Sequence, residues 1–327
     1  MIGNEFFMQL ALKQAWKYQG LTYPNPAVGA VVVKNNQILS IAAHQFAGGP
    51  HAEVYAIKEA FEKLTSKKIN VETSAEIHHF LLQNHNKLFH QCSIYTTLEP
   101  CNHLGKTPSC ANLIQKLGFK NLYVGAKDKT PLAQGGAKKI QNVTYGVMQR
   151  ECNELLEPFY IWQKKAFVLF KLAQTHNGKI TGGYISSKES LQHVHKIREK
   201  ITKLLIGGNT VKVDRPTLDC RFVSQKAPDV QIYSNQSFDE SIPLFNIENR
   251  RVEISKDLSF LQEPGFVLVE GGENMLKSLA QKIDWLLTFQ SQSMSENEGY
   301  SLNLQLKNLH IERNSNDIIL WSKVKNG

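Results

Sequence analysis

The stretch Pro50-His51-Ala52-Glu53-Val54-Tyr55-Ala56-Ile57-Lys58-Glu59-Ala60-Phe61-Glu62-Lys63-Leu64 sets a histidine and a carboxylate at the head of a helical pattern. Val54, Ile57, Phe61 and Leu64 recur at helical spacing, which predicts an amphipathic helix over 52–64. Pro50 suits a first helical turn. Downstream, Cys92–Leu98 (CSIYTTL) has strand composition and leads into Glu99-Pro100-Cys101. Cys110 then falls in a second helical segment, Ser109–Leu117, which stops at Gly118. Zinc takes imidazole nitrogen and thiolate, and a catalytic zinc keeps three protein ligands and one water. His51, Cys101 and Cys110 supply such a trio. Zinc lowers the pKa of its water toward ~7. Glu53, two residues past the histidine, is free to shuttle a proton as the catalytic acid/base. A lone His-Ala-Glu triplet says little; the helix head, the strand ending in Glu-Pro-Cys and the further Cys carry the reading together.

Outward from this center, the first half alternates helix and strand. Helical spacing over Phe6–Trp16 is followed by strands at Val28–Val33 and Ile38–Ala43 across a turn at Lys34-Asn35-Asn36. Asn121–Ala126 and Val143–Val147 read as strands and Gly136–Ile140 as a short helix. That alternation implies a sheet covered on both faces. Residues 65–91 interrupt it and hold four of the eleven histidines, His78, His79, His85 and His90. No cysteine or ordered carboxylate pattern accompanies them, so a solvated helical insertion is expected rather than a metal site.

Residues 151–165 read as a connecting helix broken near Pro158. Beyond it strands dominate, at Phe167–Ala173, Lys203–Ile206, Val230–Tyr233, Val252–Ile254, Gly265–Val269, Trp285–Gln290, Leu302–Leu309 and Ile318–Val324, with helices at Ser187–Lys200 and Asn274–Lys282. Two α/β domains follow, 1–155 and 156–327.

The 327 residues include 38 basic and 29 acidic ones, a net charge of +9. The basic residues are scattered, which argues against a nucleic-acid footprint and suits a phosphorylated small molecule. At 42% hydrophobic, the chain can build packed cores. No apolar run is long enough for a membrane span, and the N-terminus lacks a signal-peptide pattern, so a cytoplasmic protein is expected. Five cysteines at uneven spacing favor metal or free thiols over disulfides.

Three segments now carry a resemblance. Tyr23-Pro24-Asn25-Pro26-Ala27-Val28-Gly29, His44-Gln45-Phe46-Ala47-Gly48 with Pro50-His51-Ala52-Glu53, and Thr97-Leu98-Glu99-Pro100-Cys101-Asn102-His103-Leu104-Gly105-Lys106-Thr107-Pro108-Ser109-Cys110 resemble the bifunctional riboflavin-biosynthesis deaminase/reductase family of RibD type. Eight residues separate the two cysteines, a longer loop than the common Cys-x-x-Cys. The resemblance covers most of the first domain except 65–91. It implies a cytidine-deaminase-like three-layer α/β/α domain. It also implies hydrolytic removal of the 2-amino group of 2,5-diamino-6-ribosylamino-4(3H)-pyrimidinone 5′-phosphate, with one zinc per domain. Asn25, His44, His103, Lys106 and Asp128 would hold that substrate, Lys106 as a point charge for phosphate.

The second half resembles the same family's reductase domain through Lys171-Leu172-Ala173-Gln174-Thr175, Gly207-Gly208-Asn209-Thr210-Val211, Asp214-Arg215-Pro216-Thr217-Leu218 with Arg221, and Val269-Glu270-Gly271-Gly272-Glu273-Asn274-Met275-Leu276. The implied fold is that of dihydrofolate reductase, and the implied reaction is NADPH reduction of ribosyl to ribityl. Arg198, Leu218, Arg221 and Glu270 fall at substrate positions. Gln174, Tyr184, Thr210, Asp214, Ser234, Gly272, Glu273, Asn274, Met275, Leu276, Lys277 and Ser278 fall at cofactor positions. A strand ending in two glycines before a helix lets backbone N–H groups approach a pyrophosphate. Departures such as His176-Asn177 before Gly178 leave open a second domain kept only for assembly. A nucleic-acid deaminase is the more distant alternative, and it would need an aromatic ladder that the motifs lack. Assembly as a homodimer or tetramer is expected.

Overall fold

The computed structural model describes residues 3–325 apart from 103–107, 132–133, 182, 184 and 225. The chain divides into two compact units, one ending at Phe159 and the other starting at Tyr160.

In the first unit, helix α1 (Asn4–Trp16) precedes an antiparallel hairpin of β1 (Gly29–Lys34) and β2 (Gln37–Ala43). Asn35 and Asn36 both adopt positive φ at its turn, which asparagine tolerates better than most residues. Helix α2 (Ala52–Thr65), helix α3 (Ser74–Asn84), β3 (Cys92–Leu98), α4 (Cys110–Leu117), β4 (Asn121–Ala126), a 3₁₀ turn at Gly136–Lys139 and β5 (Val143–Tyr145) follow. The sheet order is β2-β1-β3-β4-β5, antiparallel in its first two pairings and parallel in the last two. Gly29 points at α1, whereas Ser40, paired with Val32 on the other side of the pleat, donates its hydroxyl to Ala56 of α2 at 2.6 Å. The two helices therefore cover opposite faces, as the alternating sequence pattern implies.

Helix α5 (Gln149–Trp162) carries the chain past Phe159. It is unbroken, contrary to the expectation from Pro158. Proline deletes one i→i−4 bond, and the buried Leu155, Leu156 and Trp162 anchor the helix on both sides of it.

The second unit contains β6 (Ala166–Gln174), α6 (Lys188–Lys200), β7 (Lys203–Gly207), α7 (Gly208–Asp214), β8 (Asp229–Tyr233), β9 (Val252–Ile254), β10 (Gly265–Glu270), α8 (Glu273–Leu279), β11 (Trp285–Gln290), β12 (Leu306–Asn314) and β13 (Asp317–Val324). They form one eight-stranded sheet in the order β12-β13-β11-β6-β10-β7-β8-β9, parallel except at β11-β13-β12. Val168, Phe170 and Leu172 on one face of β6 pack in a core with Met275, Leu276 and Leu279 of α8. On the other face Phe167 meets the rings of Trp162, Phe266 and Trp285.

Three further expectations need correction. The segment over 65–91 is helical but not a solvated appendage, because α3 buries Ser74, Ile77, His78 and Leu81. These lie at i, i+3, i+4 and i+7, one face of a helix. The strand expected at Leu302–Leu309 starts later, at Leu306. Helix α7 was not expected, since its sequence, Gly-Asn-Thr-Val-Lys-Val-Asp, is rich in weak helix formers.

Gly29 has a close-approach reason for being glycine. A Cβ there would sit 2.0 Å from the Ala11 carbonyl oxygen, because the α1 backbone lies directly on β1. Gly29→Ala should destabilize the first unit by about 2 kcal/mol or more, in the range of overpacked cores, read as a lowered urea midpoint.

Candidate active sites

The first site gathers where α2 and α4 begin. His51 is the N-cap of α2, with extended backbone, and Cys110 is the first residue of α4. Pro50 stands just ahead of the cap rather than in the first turn. Its carbonyl accepts the His44 Nδ1 proton at 2.9 Å. The two sulfurs lie 3.7 Å (Cys101) and 3.3 Å (Cys110) from His51 Nδ1. All three donor atoms fall within 4.8 Å of one another. Ligands at zinc bond lengths on tetrahedral corners stand roughly 3.5–3.8 Å apart, so the trio fits that ion in number, chemistry and spacing.

The local backbone builds this geometry. Ser109 caps α4 by accepting from Asn112 N–H, while its hydroxyl donates to the Cys101 carbonyl at 2.9 Å. The Cys110 N–H donates to Cys101 Sγ at 3.4 Å. The hydrogen bond with Cys110 holds the Cys101 thiol below its usual range, helped by His51 against burial, while Cys110 is pushed up by Cys101 and by burial. One sulfur is thus poised as thiolate, the species a metal takes.

Glu53 is 4% exposed and sits in the first turn of α2. Burial pushes its carboxyl up to about 7, with the nearby His51 opposing. It can therefore exchange a proton near neutrality. Of the expected substrate residues, His44 is buried, and its Nε2 accepts from the Asn25 amide at 3.0 Å. Its ring stands edge-on to His51, with centroids 5.6 Å apart. Asp128 is engaged in a turn, where its Oδ1 accepts from Thr130 N–H and hydroxyl at 2.8 and 2.6 Å. His103 and Lys106 lie outside the described residues, as does Tyr184. The sequence reading gave no role to Glu99. This buried carboxylate accepts from the N–H groups of Asp128 and Ala137 and from the Tyr145 hydroxyl, tying the loops together.

The second site lies at the carboxyl ends of β6, β10 and β7, where ligands bind in open α/β sheets. Glu270 pairs in register with Lys171 on β6 and Ile206 on β7. Arg198 of α6 grips Glu270 through Nε and Nη2 at 2.7 and 2.9 Å. These two expected substrate residues therefore hold each other. Sequence alone gives Lys171 no role, yet it stands beside Glu270 on the neighboring strand. Burial pulls its pKa down, opposed by Glu270. A lysine inside an otherwise apolar strand was the available signal. Arg221 is paired with Asp219 at 2.8 Å, and Leu218 adopts a φ of 57°.

The glycine-rich ends of β7 and β10 sit side by side. Gly207 caps α7, Gly272 caps α8, and Gly271 is required because a Cβ there would meet Met275 at 2.8 Å. Thr210 lies close to both turns. Gln174 ends β6, Asp214 ends α7, and Ser234 follows β8, where its hydroxyl accepts from Gln236 N–H. Met275 and Leu276 correct the expected cofactor set, because both side chains belong to the core. A cofactor at this turn would meet their main chain rather than their side chains. Glu273 instead binds Ser301 and Lys277, and the Ser278 hydroxyl donates back to the Asn274 carbonyl.

Comparison with known proteins agrees with this anatomy. Residues 1–126 match the cytidine and deoxycytidylate deaminase zinc-binding region, and residues 166–320 match the RibD C-terminal domain. Together the two units join a deaminase-type zinc-binding region to a RibD C-terminal domain of dihydrofolate-reductase-like fold. The chain belongs to the RibD family of riboflavin biosynthesis proteins. It is similar to RibD of Bacillus amyloliquefaciens, 30% identical over 319 residues, which are 83% of this chain and 79% of that one. It is also similar to RibD of Aquifex aeolicus, 39% identical over 238 residues; that match spans 69% of this chain but only 60% of the relative. A solved diaminohydroxyphosphoribosylaminopyrimidine deaminase/5-amino-6-(5-phosphoribosylamino)uracil reductase from Thermotoga maritima superposes with a TM-score of 0.64, at 27% identity and 98% coverage of both chains. Among the described residues no helix is long and apolar enough to cross a membrane.

Cys101→Ala should abolish zinc retention, because two remaining ligands leave the site open. Elemental analysis of the purified variant should show loss of the zinc bound by the parent chain.

Proposed function

We propose that this chain performs two consecutive steps of riboflavin biosynthesis. The first unit deaminates 2,5-diamino-6-ribosylamino-4(3H)-pyrimidinone 5′-phosphate hydrolytically. The second reduces the ribosyl group of 5-amino-6-(5-phosphoribosylamino)uracil to ribityl with NADPH. The observation that carries the reading is the meeting of His51 Nδ1, Cys101 Sγ and Cys110 Sγ beside a buried Glu53, in a chain whose second unit belongs to the RibD reductase family.

His51, Cys101 and Cys110 would hold zinc, which supplies Lewis acidity and an activated water when bound. The net step replaces the C2 amino group by oxygen and releases ammonia. Glu53 takes a proton from water at its carboxylate, delivers it to the ring nitrogen, and serves the leaving amine in the same way. A carboxyl near 7 suits both directions of transfer. His44 donates to Pro50 and accepts from Asn25, so its tautomer is set and the Asn25 amide is oriented. Asn25 then offers its remaining groups to the pyrimidine. His103, Lys106 and Asp128 complete the expected substrate set, with Lys106 at the phosphate.

In the second unit NADPH supplies the hydride. Glu270, set between Arg198 and Lys171, orients the ribosyl end of the substrate, and Arg221 offers a guanidinium to its phosphate. Leu218 shapes the same loop. Gln174, Tyr184, Thr210, Asp214, Ser234 and the main chain of Gly272–Ser278 line the cofactor side. The five cysteines, none in a disulfide, suit a reducing cytoplasm. A homo-oligomer, dimer or tetramer, is the assembly to be checked by light scattering.

Glu53→Gln should retain zinc yet release ammonia at least a hundredfold more slowly, about the contribution of a general acid/base. Substantial residual turnover would remove Glu53 from proton transfer. Arg221→Ala should slow NADPH oxidation with the deaminated substrate about tenfold, the loss of one charge-assisted contact, while ammonia release stays unchanged. Equal losses in both assays would contradict separate sites.

A further inference from the structure

His176-Asn177 before Gly178 and the β11–β12 connection, residues 291–305, have no part in the mechanism above, yet they meet. Strand β6 continues from Lys171, its last partner on β10, to Gln174. The turn that follows therefore stands past the end of β10, where Gly271 and Gly272 lead into α8. Thr175, a buried residue, closes that turn. Its N–H donates to the Lys179 carbonyl, and its hydroxyl accepts from the Lys179 N–H at 2.9 Å and donates to Asn177 Oδ1 at 2.7 Å. The last bond orients the Asn177 amide. Oδ1 also accepts from the Ser295 N–H at 3.1 Å, while Nδ2 donates to the Ser295 carbonyl at 2.8 Å. One side chain thus satisfies both main-chain groups of a residue 118 positions away. Asparagine carries the acceptor and donor on one short amide that this needs; aspartate would set a carboxylate against the carbonyl.

Around Asn177 the two main chains pair. Ser291 N–H donates to Gln174, His176 N–H to Ser293 and Ile180 N–H to Glu298, at 2.9, 2.7 and 2.9 Å. Lys179 bridges Gly299, where a Cβ would stand 2.8 Å from the Gly178 carbonyl oxygen. Met294, the one large apolar side chain between Ser291 and Tyr300, is 72% exposed. Hydrogen bonds and not apolar burial therefore hold this stretch on the turn, and since water competes for each of them their worth is collective. The same connection then crosses to α8. Tyr300, Leu302 and Leu304 pack against the core that holds Met275, Leu276 and Leu279. The Ser301 N–H and hydroxyl both donate to Glu273 Oε1, each at 2.7 Å, and Glu273 opens α8.

We propose that residues 291–305 form a strap that sets the separation of the two cofactor-facing segments of the reductase, the turn after β6 and the head of α8, with Asn177 as the positioning residue at one end and Ser301 at the other. The proposal rests on the NADPH reading of the second unit. A strap tied at both ends keeps the two segments poised before the cofactor arrives. With one end loose, the competent arrangement is only fractionally populated, and the apparent affinity falls by that fraction. By linkage, bound NADPH must in turn hold the strap.

The test uses the full chain and the variants Asn177→Ala, Ser301→Ala and the two combined. NADPH affinity is read from quenching of protein fluorescence, and kcat from NADPH oxidation at saturating cofactor with the deaminated substrate. Main-chain hydrogen exchange over 291–305 is followed by mass spectrometry with and without NADPH. Ammonia release is the control for an intact first unit. In the parent, NADPH should slow exchange across 293–301. Asn177→Ala should weaken NADPH about tenfold and Ser301→Ala about threefold, with kcat within about twofold of the parent, because saturating cofactor restores the competent arrangement. The combined variant should lose no more than Asn177→Ala alone, since one free end already uncouples the strap. Exchange indifferent to NADPH in the parent would overturn the proposal without any variant. So would an affinity unchanged in Asn177→Ala, a loss confined to that variant, which marks a local turn contact, or losses that multiply in the pair. A parent chain that binds no NADPH would overturn the reductase reading and the strap with it.

Discussion

Two sulfurs and an imidazole nitrogen are forced within 4.8 Å of one another in a buried corner, and much of the first unit is arranged around that crowding. Such a cluster is costly unless its charge is balanced. The balance begins in the backbone. One hydroxyl, that of Ser109, both caps α4 and fixes the Cys101 carbonyl, so the helix start and the ligand loop move as one body. The Ala111 N–H reaches the same carbonyl at 3.2 Å. His51 caps α2 without a side-chain capping bond, which leaves its Nδ1 for the sulfurs. Behind it, the chain from Asn25 through His44 to the Pro50 carbonyl braces the segment that presents His51.

The second unit solves a related problem with charges instead of sulfurs. Glu270, Lys171 and Arg198 are gathered at the carboxyl ends of adjacent parallel strands. Arg198 and Lys171 hold the Glu270 carboxylate below its usual range against the opposing effect of burial. A buried ion cluster of this kind adds little net stability, while losing one partner leaves an unpaired charge. In the proposed reduction, its use is to present fixed charge to the substrate beside the glycine turns after β7 and β10.

The two units differ in how their sites are made. In the first, chemistry depends on atoms brought together from two separate connections, β2–α2 and β3–α4, and caps and turns do the positioning. In the second, the sheet itself sets the spacing, because the parallel register of β6 and β10 puts Lys171 beside Glu270 at the end of β10. That fits a reaction in which the cofactor brings the hydride and the protein supplies orientation.

Much of this was legible along the chain. The periodicity of 52–64, the strand Cys92–Leu98 and the Gly118 stop predict their elements closely, because each rests on local patterning or backbone sterics. The His51, Cys101 and Cys110 donor set was also readable, since few combinations of residue types suit zinc. Local rules misjudged Pro158, where flanking burial outweighs a lost hydrogen bond, and they passed over α7, a run of weak helix formers. Only the tertiary structure decided that Met275 and Leu276 turn into the core, that Arg198 and Glu270 clasp each other, and that Lys171 joins them. Only it packed α3, from the 65–91 segment, onto α2 and α4. Sequence records which groups are present and their local spacing; which distant groups meet depends on how helices and strands pack, and that is set by burial of the whole chain.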